Sequence, residues 1–420
     1  MDIPLSISDY DRRIAKEAPI RALNRYFEVN PVLNEGKSAM LARMGLRRFL
    51  HIGDGPIRGI YSQPGSFGDA LFAVSGDVLY RVATDLSVTT IGTIEGAGTG
   101  AVTMAATSNI GETPAFLFIA SGGPLMCFTE NGFSHGTVSG TPDDGDVIQI
   151  GNVHYLFTSG SVDLGTPDGT SLNPWRVKFD LVPEAAWINF RAAIGANGTA
   201  GVQYSTALVA HPTVLVQTYT GGGTVIRAKV LGPAQDAIVT TSTGVAILWS
   251  AATLMGGGSP YLFQVNTPDD VNVISVGYVS SYVVVVPAQG QGINGRFYWI
   301  KPGETTIDPL DFATAERSPD PITSVVVAGD QFWLPGTNTT EVWFFTGNPS
   351  SPVSRMQGVV YDRGCWEGTA LQVKDSMILV DPEGAVYQVS GGVTRISRPD
   401  IEERIRKAIQ YQASKLIGGI

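Results

Sequence analysis

From about residue 70 to residue 390 the chain is a succession of short runs of β-branched and aromatic residues, each closed by Gly, Pro, Asn or Asp. Examples are "ALFAVSGDVLYRVA" (70–83), "HYLFTSG" (154–160), "YVVVVPA" (282–288), "RFYWIKP" (296–302), "EVWFFTG" (341–347) and "AVYQVSGG" (385–392). Each run has strand length, and the residues at its ends suit tight turns. Helical periodicity is scarce. With 50 Gly, 25 Pro, 43% hydrophobic and only 16% charged residues among 420, the chain is long and apolar enough to bury a core and too turn-rich for a helical bundle. Regular short strands predict a sandwich, a barrel or a propeller.

An internal repeat favours the propeller. "PDDGDVIQIG" at 142–151 and "PDDVNVISVG" at 268–277 share Pro, Asp, Asp, Val, Ile and Gly in register. They start 126 residues apart, three times 42, and a four-stranded blade takes about 40–50 residues. The two segments are therefore expected to be the same strand of two blades. A weaker echo pairs "GDVLYRV" (76–82) with "GAVYQV" (384–389).

The expected fold is all-β and β-propeller-like, with an inserted β-rich segment and a C-terminal amphipathic helix. The divisions are an N-terminal arm (1–25), a first set of blades (26–180), the insertion (181–265), a second set of blades (266–396) and the helix (397–420). The insertion is set off by a texture rich in Gly, Thr, Ala and Val and poor in charge. In the helix, Ser397 can cap, Pro399 suits the first turn, and Asp400, Glu402 and Glu403 complement the positive end. Its apolar stripe includes Ile401, Ile405, Ile409 and Leu416. These four are candidate contacts with another subunit or partner, with docking on the chain's own domain as the alternative.

The totals exclude several classes. Net charge is −10, whereas a protein that grips phosphates is usually basic on its binding face. Cys127 and Cys365 are too few and too far apart for a disulfide framework or a zinc pattern. The N-terminus lacks the apolar core of a signal peptide, and no run is long enough to span a membrane, so no membrane anchor is expected.

No motif calls for a cofactor or a metal. "GKS" at 36–38 has Pro31 where a phosphate loop needs Gly. "GQGING" at 290–295 runs into the strand-like "RFYWI" instead of a helix, so it predicts a Gly-rich hairpin and no dinucleotide site. His51, His135, His154 and His211 lack ligand spacing. "PDDGD" at 142–146 suits a turn with Asx-type hydrogen bonds better than a calcium loop.

The segment "PLDFATAERSPDPITSVVVAGDQFWLPGTNTTEVWFFTG" (309–347) is the richest in candidates. Asp311 and Glu316 could be the two carboxylates of a glycosidase. The other reading is structural: Asp311 caps a turn, Glu316 pairs locally, and Pro319, Asp320 and Pro321 fix the entry of the next strand. Glu341, Trp343, Cys365 and Trp366 complete the structural set. Trp333, Trp343, Phe344, Phe345 and Trp366 are large enough to serve a core or a subunit contact.

In order along the chain, "NRYFEVNPVLNEGK", "GLRRFLHIGDGPIRGIY", "LFAVSGDVLYRV", then the block from "RFYWIKPGETTIDPLDFATAERSPDPI" through "TTEVWFFTG" to "RGCWEGTA", and finally "GAVYQVSGGVTRISRPDIEERI" resemble the packaged-DNA stabilisation, or tail hub and nozzle, proteins of short-tailed bacteriophages. The resemblance covers about 20–100 and 268–405, and 297–347 is its most specific part. It implies a propeller-based subunit of a six-fold ring in the virion tail, made in the host cytoplasm. Such a ring lies below the portal and adaptor, contacts tail fibre, spike or needle proteins, retains packaged DNA and conducts it at ejection, without enzyme activity or cofactor. Residues 181–265 depart from that pattern. The family pattern also continues beyond the "RISRPDIE" helix, so a distal part is expected to be lost, shorter here or supplied by another protein. Two other functions remain open: a propeller that binds or cleaves carbohydrate through Asp311 and Glu316, and a tail protein that binds a host receptor.

Overall fold

The computed structural model describes residues 25–29, 38–42, 49–95, 100–108, 114–220, 222–290, 293–315, 320–348, 351–374 and 376–417. Two strands, β1 (Arg25–Val29) and β2 (Ser38–Ala42), pair as an antiparallel ladder. All other strands among the described residues fall into seven four-stranded sheets.

The first sheet is β3 (Ile57–Ser62), β4 (Leu71–Ser75), β5 (Val78–Val82) and β6 (Val88–Thr93), antiparallel and in chain order. The second begins with β7 (Thr103–Ala106), β8 (Leu117–Ala120) and β9 (Met126–Thr129). Its fourth strand does not follow at once. The chain first makes β10 (Phe133–Gly140), β11 (Val147–Ile150), β12 (Val153–Thr158), β13 (Trp175–Lys178) and helix α1 (Pro183–Gly195). It continues through β14 (Val214–Thr220), β15 (Gly223–Leu231), β16 (Thr240–Ser242) and β17 (Ile247–Trp249). Only then does β18 (Tyr261–Gln264) pair with β9 and complete the sheet.

The eight intervening strands form two sheets of their own, ordered β14-β15-β10-β17 and β13-β12-β11-β16. One core serves both, with Val138, Ile148, Phe157, Trp187, Ile226 and Leu254 among its buried members. The textural boundary at 181 therefore does not coincide with a structural one. Strands after 181 hydrogen-bond to strands before it, and the inserted body extends from about 130 to 260. Low charge marked only the part of the body with long apolar strands.

Helix α1 was not anticipated. Pro183 sits at its start, where a missing N–H costs nothing, and Ala196 closes it in the left-handed conformation. "PEAAWINFRAAIG" is apolar over much of its circumference because Ala186, Trp187, Phe190, Ala193 and Ile194 are all buried. That burial weakens the periodicity by which a surface helix is recognised.

Three further sheets follow. They are β19 (Val273–Val279), β20 (Tyr282–Pro287), β21 (Arg296–Ile300) and β22 (Phe312–Thr314); β23 (Val326–Ala328), β24 (Gln331–Pro335), β25 (Thr340–Phe345) and β26 (Val353–Tyr361); and β27 (Leu371–Val373), β28 (Ser376–Val380), β29 (Val386–Val389) and β30 (Val393–Arg395). Helix α2 (Pro399–Ile417) ends the described chain. The fold is all-β and propeller-like, with blade-type sheets, an inserted β body and a C-terminal amphipathic helix.

The chain divides into two compact units, one of residues 55–288 and 298–312, the other of 1–54, 289–297 and 313–420. In the first unit, neighbouring sheets share apolar faces: Phe72, Leu79, Met104 and Leu117 in one layer, and Phe118, Cys127, Val285 and Tyr298 in the next. In the second, Trp333 and Val342 pack with Met377, Leu379 and Val389.

The repeat at 142–151 and 268–277 does not mark equivalent strands. β11 is an interior strand of an inserted sheet, between β12 and β16, while β19 is the edge strand of a blade. The similarity is local. In both, Pro and Asp residues build a turn that feeds a β-prone run, and that chemistry is independent of where the strand is placed. The weaker echo does correspond: "GDVLYRV" contains β5 and "GAVYQV" contains β29, each the third strand of its sheet.

Candidate functional site

In the first unit, the Asp311 carboxylate pairs with Lys301 Nζ at 2.7 Å, and its backbone carbonyl accepts the Trp299 N–H. The carboxylate holds the Lys301 ammonium above its ordinary pKa. Asp311 thus closes the loop between β21 and β22. Glu316 and Pro319 lie outside the described residues.

In the second unit Asp320 is the centre of the motif. It is only 6% exposed, and among the described residues no cation pairs with it. Its Oδ1 accepts the N–H of Thr337 at 3.0 Å, the Thr337 hydroxyl and the Asn338 side-chain amide. Its Oδ2 accepts the N–H groups of Asn338 and Thr339 at 2.8 and 2.7 Å and the Thr339 hydroxyl. Three successive backbone N–H groups converging on one anion form a concave nest. The carboxylate has about four lone-pair positions and all are engaged. It has no capacity left to move a proton or attack a substrate.

The turn it holds, residues 336–339, joins β24 to β25. Gly336 is required there, because a Cβ would lie 2.5 Å from Asp320 Oδ2. The "RGC" segment passes against the same turn: a Cβ on Gly364 would meet the carbonyl carbon of Thr337 at 2.2 Å. The Cys365 N–H donates to the Gly336 carbonyl at 2.8 Å. Its thiol is buried, 2.9 Å from Thr323 Oγ1, and burial pushes its pKa up. A thiol so placed is structural and unreactive.

Glu341 is 3% exposed on β25, and its Oε2 accepts the Trp343 indole N–H at 3.1 Å. Trp343 packs edge-on against Phe297, which also meets Phe332. Trp366 is 37% exposed, and its N–H donates to Val380 on β28. The structure therefore gathers Asp320 and Cys365 at one node and joins Glu341 to Trp343 beside it. Asp311 belongs to the other unit.

Helix α2 docks on its own sheet. Glu402, 4% exposed, accepts Arg395 Nε at 2.6 Å, a second guanidinium contact and the Ser397 hydroxyl. These partners hold its carboxyl below the ordinary range. The backbone of Arg406 and Glu402 approaches Gly384, where a Cβ would sit 3.3 Å from either. Ser397 is not the cap, since the first helical N–H groups are accepted by the Arg398 carbonyl. The Ser397 hydroxyl is engaged with Glu402 and the Val386 N–H. Ile401, Ile405 and Ile409 are half-buried, and the side chain of Leu416 lies outside the described residues.

Two anchors escaped the sequence reading. Asp381 accepts the N–H groups of Glu383 and Ala385. Its signal was available: "DPEG" repeats the Asp-Pro pair of 320–321. Arg58 is buried and donates to the carbonyls of Gly76, Gly100 and Ser121. No local pattern marks it, because its partners come from three distant turns.

Two of the histidines take structural roles. His135 stacks on Tyr261 at 4.2 Å. His211 is buried, faces the Ile150 carbonyl with Nε2, and takes the N–H groups of Thr213 and Val214 on Nδ1. The "PDDGD" segment is a turn, in which Asp146 accepts the Asp143 N–H at 2.8 Å and Asp144 accepts the Ser159 N–H at 2.8 Å.

A family model described as bacteriophage P22 Gp10, beta-propeller (phage stabilisation), matches residues 187–417, which is 231 of the 420 residues. The chain belongs to this family. It is a structural protein of a phage tail. The match runs through 187–265, so those residues do not depart from the family as the resemblance implied, and the N-terminal part of the resemblance lies outside the matched residues. No curated protein matches the chain. Among solved structures, the chain is similar to the beta-propeller domain of Myceliophteria thermophila Cps50 (Swd1), with 8% identity, 82% of this chain and 87% of that one covered, and a TM-score of 0.33. It is also similar to the Dos1 propeller, with 13% identity, 90% and 73% covered, and a TM-score of 0.30. Likenesses this loose carry nothing further about this chain.

Proposed function

We propose that the protein is a tail hub or nozzle subunit that assembles into a six-fold ring below the portal and adaptor, retains packaged DNA and conducts it at ejection. The observation that carries this reading is the family match over 187–417. Two physical features support it. The net charge of −10 suits a conduit that must not hold a polyanion by its phosphates. Three of the four described acids of the 309–347 motif are spent on structure: Asp320 on a backbone turn, Asp311 on Lys301 and Glu341 on Trp343. That favours a scaffold without enzyme activity. Closed cyclic symmetry would then repeat one heterologous interface around the ring. Portal-adaptor, fibre, spike or needle proteins would be its partners in the virion.

The test is electron microscopy of the purified protein, alone and mixed with its phage's portal-adaptor complex, combined with duplex DNA titration. Six-fold rings that join the adaptor support the reading. So does a dissociation constant for duplex DNA no tighter than the ~10⁻⁴–10⁻⁶ M of non-specific binders at physiological salt. Trimers that bind host cells, or turnover of host polysaccharide, would overturn it.

A further inference from the structure

The first unit holds a buried cation that has no anion among the described residues. Arg227 on β15 is 3% exposed. Among the described residues no carboxylate lies within ion-pair distance. Its Nη2 donates to Thr305 Oγ1 at 2.7 Å, its Nη1 reaches the Ala228 carbonyl only at 3.4 Å, and its Nε has no acceptor. The ring of Phe133 lies 3.8 Å from the guanidinium carbon and that of Phe263 lies 5.4 Å away. Aromatic faces offset only part of the desolvation of a buried guanidinium, and a buried charge without an anionic partner is costly. Burial lowers the Arg227 pKa to about 10, so the group keeps its charge at neutral pH.

This guanidinium lines a cleft of about 660 Å³ between β14–β15 of the inserted body and the loop that joins β21 to β22. That volume suits a small ligand. One part of the wall is apolar, with Phe116, Phe133, Leu215 and Leu231. The polar part has Arg227, Lys229, Asn131, Thr305 and Thr306, with Glu304 as the one acid among the described residues. Two cations and one anion leave a single positive charge. Lys229 donates one of its N–H groups to the His211 carbonyl at 2.6 Å, whereas the Arg227 Nε–H has no acceptor among the described residues. The free Nε–H and the adjoining Nη2–H form the planar fork that matches a carboxylate.

We propose that this cleft binds a monocarboxylate carried on an apolar body, with the carboxylate on the Nε–Nη2 edge of Arg227 and the apolar body against Phe116, Phe133 and Leu231. A free aromatic acid and the C-terminus of a peptide ending in an apolar residue share this chemistry. A phosphate dianion fits the single net charge less well.

The experiment is calorimetric titration of the full chain with 3-phenylpropionate, 3-phenylpropanol, inorganic phosphate, and a short peptide ending in Phe as free acid and as amide. Saturable binding of 3-phenylpropionate or of the free-acid peptide, at least tenfold tighter than the alcohol or the amide, is the expected result. Whichever acid binds identifies the source. Arg227→Met should weaken that binding at least tenfold, and Glu304→Gln should strengthen it severalfold by removing the opposing charge. Binding of acid and alcohol alike, no binding of either acid, preference for phosphate, or unchanged affinity in Arg227→Met would overturn the proposal. If Arg227→Met does not fold, the comparison of acids with their neutral analogues on the wild-type chain still decides it.

Discussion

Replacing Asp320 with Asn keeps the shape of the side chain and changes only what it can accept. In the native turn, three backbone N–H groups and three side-chain donors point at two anionic oxygens. An amide has one acceptor oxygen. In its better orientation that oxygen takes the Oδ2 place and keeps the N–H groups of Asn338 and Thr339, while the NH₂ faces the N–H of Thr337. The Thr337 hydroxyl can rotate to accept from the NH₂, but its backbone N–H cannot. One buried N–H without a partner costs about 1–3 kcal/mol. The two retained bonds lose their charge assistance, about 1 kcal/mol each. The sum is roughly 3–5 kcal/mol, a large part of the ~5–15 kcal/mol that holds a domain folded. Asp320→Ala leaves all three N–H groups unpaired and should cost more. Thr339→Val removes one hydroxyl and should cost no more than about 1.5 kcal/mol. The assay is urea unfolding of the full chain followed by circular dichroism and tryptophan fluorescence. A loss under about 1 kcal/mol in Asp320→Asn, or the same loss in Thr339→Val, would refute the clamp.

Three further outcomes are expected. Asp311→Asn removes an ion pair whose Lys301 end is exposed and whose carboxylate is half-buried, and should cost about 1 kcal/mol, with no hydrolytic turnover to lose, as a melting curve and a polysaccharide assay will show. The pKa of His211 lies below its ordinary value because burial disfavours its charged form. The unfolded chain therefore binds the proton first, so stability should fall as pH drops below about 6.5 and level off below the folded pKa; His211→Gln should flatten that slope in melting curves taken between pH 7.5 and 5. Glu402 has the opposite chemistry and a lowered pKa, so its contribution is full above the ordinary carboxylate range and is lost as pH falls through the folded value. Arg395→Met should release helix α2 to limited proteolysis at neutral pH, and an unchanged digestion pattern would contradict its docking through this pair.

Local chemistry determined much of this protein. Strand-length apolar runs between turn residues specified an all-β chain, and the Pro and acidic residues after Arg398 specified the terminal helix. Third strands with similar sequences at 76–82 and 384–389 occupy similar places, because each is a short β-prone run that follows a Gly turn and ends on a buried Val. The "DFATAE" segment posed a choice between chemistry and architecture, and the answer came from Asp320 and not from the acids that first drew attention. Its role depends on three N–H groups that arrive 17 to 19 residues later, and neither composition nor spacing encodes such convergence.

Tertiary structure decided the rest. The stronger repeat at 142–151 and 268–277 proved to be two similar turns leading into unrelated positions, since a turn signal specifies how a strand begins and not what it pairs with. The inserted body extends back to about 130 because β10 and β11 find their partners after residue 213, a choice made by burial of one shared core. Arg227 looks like any strand cation in sequence. Only the folded chain removes it from water, sets it against Phe133 and Phe263, and leaves its Nε–H without an acceptor among the described residues at the edge of a cleft. Burial and pairing are properties of the whole packing, and a residue's neighbours in the chain do not report them.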